Sequence, residues 1–338
     1  MAARIYNDRD ADLKLLRGKT CAVIGFGSQG RAHALNLKDS GINVIVGLYR
    51  ASKSRTRAKK SGLRVFETPE AVRRSDILFL ALPDTKIPEI YEREIAPHLR
   101  ANQTLLFAHG FAILYRTIQP PKNVDVIMVA PLGLGQMVRR EFEQGRGVPA
   151  LIAVHQNFTK HARQVALAWA KGIGATRAGV IASTFREETE TDLFSEQAVL
   201  CGGMSALVRA GFETLVDAGY APEIAYFECL HELKFIVDLM HEAGLSGMRA
   251  LISETALWGE LTIGPKIIDR AVRKRMIGAL RKIQSGEFAR ELLRETRRGR
   301  KKIRALLRAA NSQPIEKIGD HLRRTMAWKI DPSENNHS

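Results

Sequence analysis

Short apolar runs alternate with helically spaced segments through the first half of the chain. The runs are Thr20-Cys-Ala-Val-Ile24, Asn43-Val-Ile-Val-Gly47, Asp76-Ile-Leu-Phe-Leu-Ala-Leu82, Thr104-Leu-Leu-Phe-Ala108, Asp125-Val-Ile-Met-Val-Ala130 and Val148-Pro-Ala-Leu-Ile-Ala-Val154. Each is continuous enough to be buried on both faces, as strands of a parallel sheet are. Residues 32–37, 88–99 and 157–172 have apolar positions at helical spacing. This alternation predicts a parallel, doubly wound α/β sheet, preceded by a polar lead-in over residues 1–17. Past residue 183 the texture changes. Residues 187–218, 222–243 and much of 266–310 read as long amphipathic helices, with no strand pattern among them. The predicted organisation is an α/β domain over 1–183, an all-helical domain over 184–329 and a polar, disordered tail over 330–338.

Composition narrows the class. The chain has 338 residues, 45% hydrophobic and 26% charged, which is ordinary for a globular protein of about two domains and excludes collagen-like and disordered classes. No uninterrupted apolar run reaches the ~18 residues of a membrane span, so no membrane association is expected. Charges from Arg4 to Lys14 interrupt the start of the chain, which lacks the apolar core of a secretory signal. Three scattered cysteines (Cys21, Cys201, Cys229) make no disulfide or zinc framework, and a reducing, cytoplasmic setting is expected. The net charge of +16 is unusual, and residues 265–310 hold sixteen Lys and Arg against four acids. Such a bias raises nucleic-acid binding. The most basic segment, 294–304, has no aromatic residue for base stacking, and a solvated helix surface is the preferred reading.

Gly25-Phe26-Gly27-Ser28-Gln29-Gly30 follows the first apolar run and opens a helical segment. Glycines there let the backbone approach a pyrophosphate, and the helix N-terminus supplies unpaired N–H donors. The strand–turn–helix context makes the motif a dinucleotide-binding loop. A cofactor without a 2′-phosphate calls for an acid after the next strand. Here Arg50, Ser52, Lys53 and Ser54 stand there instead, which predicts NADP(H) over NAD(H). In the helical half, Asp192 and Glu196 are four apart, as are Glu228 and Glu232. Like charges at that spacing repel unless a cation lies between them, and carboxylate oxygens suit Mg²⁺. On spacing alone an ordinary acidic helix surface is the preferred reading. His109 follows the fourth run, at the strand end where open α/β sheets bind ligands. His33, His155 and His231 have no such placement and read as packing or surface residues.

These strings resemble ketol-acid reductoisomerase in its short form. The resemblance rests on residues 25–41, Phe107-Ala-His-Gly-Phe111, Glu187-Glu-Thr-Glu-Thr-Asp-Leu-Phe194, Glu196-Gln-Ala-Val-Leu-Cys-Gly-Gly203, residues 221–234, Ile283-Gln-Ser-Gly-Glu-Phe288 and Pro314-Ile-Glu-Lys-Ile-Gly319. The resemblance implies an N-terminal Rossmann domain, a knotted helical domain, two Mg²⁺ ions and NADPH. It implies conversion of 2-acetolactate or 2-aceto-2-hydroxybutyrate to 2,3-dihydroxy acids in valine, leucine and isoleucine synthesis. By the same resemblance His109 is catalytic and Asp192 and Glu196 bind metal. Glu228 and Glu232 face the site from the partner of a homodimer or larger dimer-based assembly, and Ser253 contacts substrate. Gly25 to Gly30, Arg50, Ser52, Ser54, Asp84, Thr85, Lys86, Ile87 and Gly135 fall at cofactor positions.

After the fifth strand the family pattern Ala-Pro-Lys-Gly-Pro-Gly-His reads Ala130-Pro-Leu-Gly-Leu-Gly-Gln136 here, and two positions elsewhere depart as well. The lysine expected after the fifth strand is Leu132, a cofactor-site arginine is Tyr49 with Arg50 beside it, and an asparagine is Ala112. A leucine neither donates a hydrogen bond nor carries charge. The sequence therefore supports the reductoisomerase reaction first. A paralogue with weakened or altered substrate chemistry comes second, and nucleic-acid binding through 265–310 a remote third.

Overall fold

The computed structural model describes residues 3–326; the tail assigned to 330–338 lies outside the described residues. Nine strands make one sheet: β1 (Ile5–Tyr6), β2 (Thr20–Ile24), β3 (Asn43–Gly47), β4 (Arg64–Phe66), β5 (Ile77–Leu80), β6 (Thr104–Phe107), β7 (Asp125–Pro131), β8 (Ala150–Gln156) and β9 (Val180–Ala182). Their order is β1-β9-β8-β7-β6-β5-β2-β3-β4. The order reverses direction at β2, the switch point where doubly wound sheets bind ligands.

All six predicted runs are strands. The sheet is mixed rather than purely parallel, because β8 runs antiparallel to β7 and β1 antiparallel to β9. An apolar run reports burial and not direction, so this reversal has no signature in the pattern. Along β2, Cys21 and Val23 join the apolar cluster on one face, and Ala22 and Ile24 the cluster on the other. That alternation shows helices covering both faces. The first face buries Trp169 and Phe79 completely, with His33 stacked 4.5 Å from Phe79 and accepting from Trp169 Nε1 at 3.1 Å. Burial pushes the His33 pKa down to about 3, so the ring is neutral and serves packing, as the sequence suggested. The lead-in is more ordered than expected. It forms β1 and two short helical turns, Asp8–Asp10 and Leu13–Leu16, capped by Asn7 and Asp12.

The described residues divide into two compact units, with the boundary between Thr191 and Asp192. The second has no strand among its described residues. Its helices are Gly202–Asp217, Pro222–Tyr226, Leu233–Leu251, Glu254–Ile267, Arg270–Gln284, Glu287–Arg297, Lys301–Asn311 and Pro314–Thr325. Its buried apolar cluster is small: Phe212, Ala225, Tyr226, Ile315 and Leu322. The helical run Phe185–Asp217 contains a window of mean hydropathy 1.3, long and apolar enough to cross a membrane by length and composition. It is an exception to the expectation drawn from uninterrupted apolar runs, because scattered polar residues do not lower the average enough. The same run starts with Glu187, Glu188, Glu190 and Asp192.

Candidate functional site

The glycine loop sits at the switch point, and its geometry demands its glycines. Gly25 has φ +101, and a Cβ there would stand 2.3 Å from the Ala81 carbonyl oxygen. A Cβ on Gly30 would meet the Gly25 oxygen at 2.8 Å and the Ala81 side chain at 2.9 Å. Gly27 differs, since a Cβ there would enter open space. It caps the helix Ser28–Asp39 without a side-chain hydrogen bond, leaving the first N–H groups available to an anion. Gly135 opens the helix Gly135–Glu143 and packs so closely that its Cβ would lie 2.3 Å from the Ser28 oxygen. Gln29 ties the same two segments together, donating from Nε2 to the Gly133 carbonyl at 2.8 Å.

A cavity of about 300 Å³ opens beside this loop, lined by Gly27 to Gly30, residues 79–84, Ile87, Phe107, Ala108 and His109. Of the cofactor positions, Gly27, Ser28, Gln29, Gly30, Asp84 and Ile87 share it. Thr85 lies between Asp84 and Lys86 outside the lining, Lys86 pairs with Glu89 at 3.5 Å, and Phe26 is buried beneath the loop. The basic turn after β3 sorts its cations into two kinds. Arg55 donates to the Leu48 carbonyl at 2.9 Å and so holds the turn together. Arg57 reaches the Phe26 carbonyl at 3.2 Å and Ser54 Oγ at 3.4 Å. Arg50 and Lys53 are exposed and form no ion pair among the described residues. Ser52 and Ser54 are half-buried beside them, with the Ser54 N–H bonded to Ser52 Oγ at 3.3 Å. Tyr49 is 60% exposed.

His109 closes the far end of the cavity. Its Nδ1 lies 2.9 Å from Oε1 of Glu188, and Oε2 of Glu188 accepts from the Gly110 N–H at 2.9 Å and from Thr189 Oγ1 at 3.1 Å. Glu188 is buried, so its carboxylate is held by three donors in a low-dielectric setting. This contact holds the His109 ring in place at the cavity. Gly110 is required here: a Cβ would lie 2.3 Å from Thr189 Oγ1. The sequence reading missed Glu188. Its signal was present, because Glu188, Asp192 and Glu196 repeat at spacing four along one helix.

Asp192 is one turn beyond Glu188 on the helix Phe185–Ser195. A donor atom from each of His109, Glu188 and Asp192 lies within 4.8 Å of the other two. Among the described residues no other such trio forms, so Glu196, Glu228 and Glu232 are not gathered with them. Those three acids are exposed and, among the described residues, form no ion pair, although acids such as Glu70, Glu141 and Glu260 bind arginine. Exposed carboxylates left unpaired in a chain of charge +16 are a donor set suited to a hard divalent ion. The two acid pairs do not lie on plain α-helices. Glu196 opens a π-helical turn, Glu196–Leu200, and Glu228 lies in a second, Phe227–His231. Such turns recur at functional sites. Ser253 caps the helix Glu254–Ile267, accepting from the Ala256 N–H at 3.2 Å. Leu132 follows β7, 55% exposed.

A doubly wound sheet with a glycine phosphate loop and a carboxylate-anchored histidine at its switch point defines a nicotinamide-dependent oxidoreductase. Comparison with known families gives the particular kind. Residues 15–179 match the acetohydroxy acid isomeroreductase NADPH-binding domain, and residues 185–328 match the ketol-acid reductoisomerase C-terminal domain. An NADH-preferring ketol-acid reductoisomerase from an uncultured archean is 45% identical, with a TM-score of 0.93 over 96% of this chain and 99% of its own. This chain belongs to the ketol-acid reductoisomerase family, and is an oxidoreductase of branched-chain amino-acid biosynthesis. Two more distant structures share the fold alone. One is a putative oxidoreductase from Jannaschia sp. CCS1 (16% identity, TM-score 0.60, 80% of this chain and 98% of that one). The other is a semialdehyde dehydrogenase NAD-binding protein from Cupriavidus necator (19%, 0.58, 78% and 99%).

Proposed function

We propose that the chain converts 2-acetolactate and 2-aceto-2-hydroxybutyrate to their 2,3-dihydroxy acids, using NADPH and Mg²⁺ in the cytoplasm. The observation that carries this reading is the helix Phe185–Ser195, on which Glu188 anchors His109 and Asp192 follows one turn later. A metal acid and a proton-transfer group are thereby fixed to one rigid element beside the cofactor cavity. When bound, two Mg²⁺ ions supply Lewis-acid polarisation of the substrate oxygens, and NADPH supplies hydride.

In the first stage the C2 alkyl group moves to C3 with its bonding pair. The C2 hydroxyl loses its proton and the C3 oxygen gains one. In the second stage a hydride and a proton reduce the new C2 ketone. His109 would move these protons, with Glu188 holding its ring in place. Asp192, Glu196, Glu228 and Glu232 would hold the metals, and Ser253 would contact substrate. The loop Gly25 to Gly30, with Asp84, Thr85, Lys86, Ile87 and Gly135, would hold the dinucleotide. Arg50, with Ser52, Ser54 and Lys53, offers cation and hydroxyl donors to a 2′-phosphate, which favours NADPH even though the archaeal relative is named NADH-preferring.

The small buried cluster of the helical unit supports a homodimer or larger dimer-based assembly. On that reading Glu228 and Glu232 serve the partner's site. Purified protein with Mg²⁺ and NADPH should consume NADPH on addition of 2-acetolactate and lose that activity with chelator. No oxidation above background would reject the reading. The exposed Leu132 supports a second one, a paralogue that keeps metal and NADPH but acts on an altered substrate.

A further inference from the structure

The two π-helical turns of the helical unit flank the same small core. The first joins the acid-bearing helix Phe185–Ser195 to the helix Gly202–Asp217, which carries the buried Phe212. The second joins Pro222–Tyr226, which carries the buried Ala225 and Tyr226, to Leu233–Leu251. Each turn is closed by a bond reaching five residues back: the Cys201 N–H to the Glu196 oxygen at 2.9 Å, and the Glu232 N–H to the Phe227 oxygen at 3.0 Å. A wide turn accommodates one residue more than an α turn. One residue is about 100° of helix rotation. With Phe212 packed in the core, the first turn therefore decides in which direction Asp192 and Glu196 project.

The residues following the first turn show what permits it. A Cβ on Gly202 would stand 2.2 Å from the Gln197 carbonyl oxygen, and one on Gly203 would stand 2.1 Å from the Ala198 oxygen. Both contacts are to backbone five residues earlier, so neither is relieved by moving a side chain. The turn is not otherwise comfortable: Gln197 Nε2 is buried without a hydrogen-bond partner among the described residues, which is unfavourable. The same helix makes room for the second turn, since a Cβ on Gly211 would approach Cys229 Sγ at 3.1 Å.

We infer that Gly202 and Gly203 are positioning residues for the metal acids: by admitting the wide turn they set the aim of Asp192 and Glu196 against the Phe212 core. This rests on the reading of those acids as metal ligands. The test is Mn²⁺ binding to the full-length enzyme, followed by electron paramagnetic resonance of the free ion, with NADPH binding measured alongside. In an ordinary α-helix Gly→Ala stabilises by about 1 kcal/mol, and Gly278→Ala, whose Cβ would meet nothing within 4 Å, is the control. Gly202→Ala should raise the Mn²⁺ dissociation constant by about 10- to 100-fold, the range seen when groups that orient metal ligands are lost, with NADPH affinity unchanged. Mn²⁺ binding like that of the unaltered enzyme would overturn the inference.

Should Gly202→Ala fail to fold, deletion of Val199 restores the α register and removes the need for glycine. That variant should keep its helix content and NADPH binding but lose Mn²⁺; retention of tight Mn²⁺ binding would again overturn the inference. An unaltered enzyme that binds no Mn²⁺ at all would instead remove the metal reading, and this inference with it.

Discussion

Leu132 stands after the carboxyl end of β7, beside the strand that leads to His109. Its amide N–H bonds to the Pro149 carbonyl at 2.8 Å, so the backbone is fixed there whatever the side chain. The side chain is largely exposed and offers no proton and no charge. A lysine at this position could reach solvent-facing substrate oxygens without displacing any core residue. Leu132→Lys should leave thermal stability within about 0.5 kcal/mol, as exposed substitutions usually do, and should raise kcat for 2-acetolactate by about tenfold or more, a modest part of what one polar catalytic group contributes. Steady-state kinetics checks this; an unchanged kcat would favour the altered-substrate reading. Residue identities at the site were legible to different degrees. His109 was visible from its place after a strand. Glu188 was not singled out, because its work is done through a contact 79 residues away, which a local pattern does not report.

At the scale of elements, the glycine loop separates two roles that its motif does not distinguish. Gly30 is enclosed by the Gly25 backbone and Ala81, whereas Gly27 faces open space. Gly30→Ala should therefore lower the melting temperature, since the added carbon forces backbone apart and overpacking costs about 1–3 kcal/mol. Gly27→Ala should melt like the parent but raise the NADPH dissociation constant by about tenfold or more, because its methyl group occupies the space a pyrophosphate needs. Calorimetric melting and NADPH fluorescence titration distinguish the two, and equal melting temperatures would refute the assignment. The six central strands were legible because buried strands are written as unbroken apolar runs. The strands β1, β4 and β9 were not, being two or three residues long, with β1 and β4 at the sheet's edges and β9 next to one. The π turns were invisible for another reason. One extra residue shifts the phase of a helical pattern without erasing it, so residues 187–218 still read as one amphipathic helix.

At the scale of the whole molecule, charge and apolar exposure point to different things. The basic residues of 265–310 lie on exposed helix surfaces with only Lys282 ion-paired among the described residues, to Glu287 at 2.7 Å. None of them is among the residues proposed for metal and cofactor. The apolar exposure is more demanding. In the helical unit Trp258 is 71% exposed, Leu251 66%, Leu306 60% and Leu307 56%, against nine buried apolar residues among those described. Exposed apolar surface on that scale marks an interface, and a self-complementary one is met most simply by a second copy of the chain. Sequence periodicity showed amphipathic helices here but not what their apolar faces meet, since a buried core and a subunit interface give the same spacing. The protein should sediment as a dimer or a multiple of one at micromolar concentration. Trp258→Glu should shift it toward monomer, because a carboxylate buried without a partner costs several kcal/mol. The glycine loop belongs to the other compact unit, so the variant should still bind NADPH while losing turnover of 2-acetolactate. A monomeric parent enzyme with full activity would refute the shared site, and with it the assignment of Glu228 and Glu232 to the partner's metals.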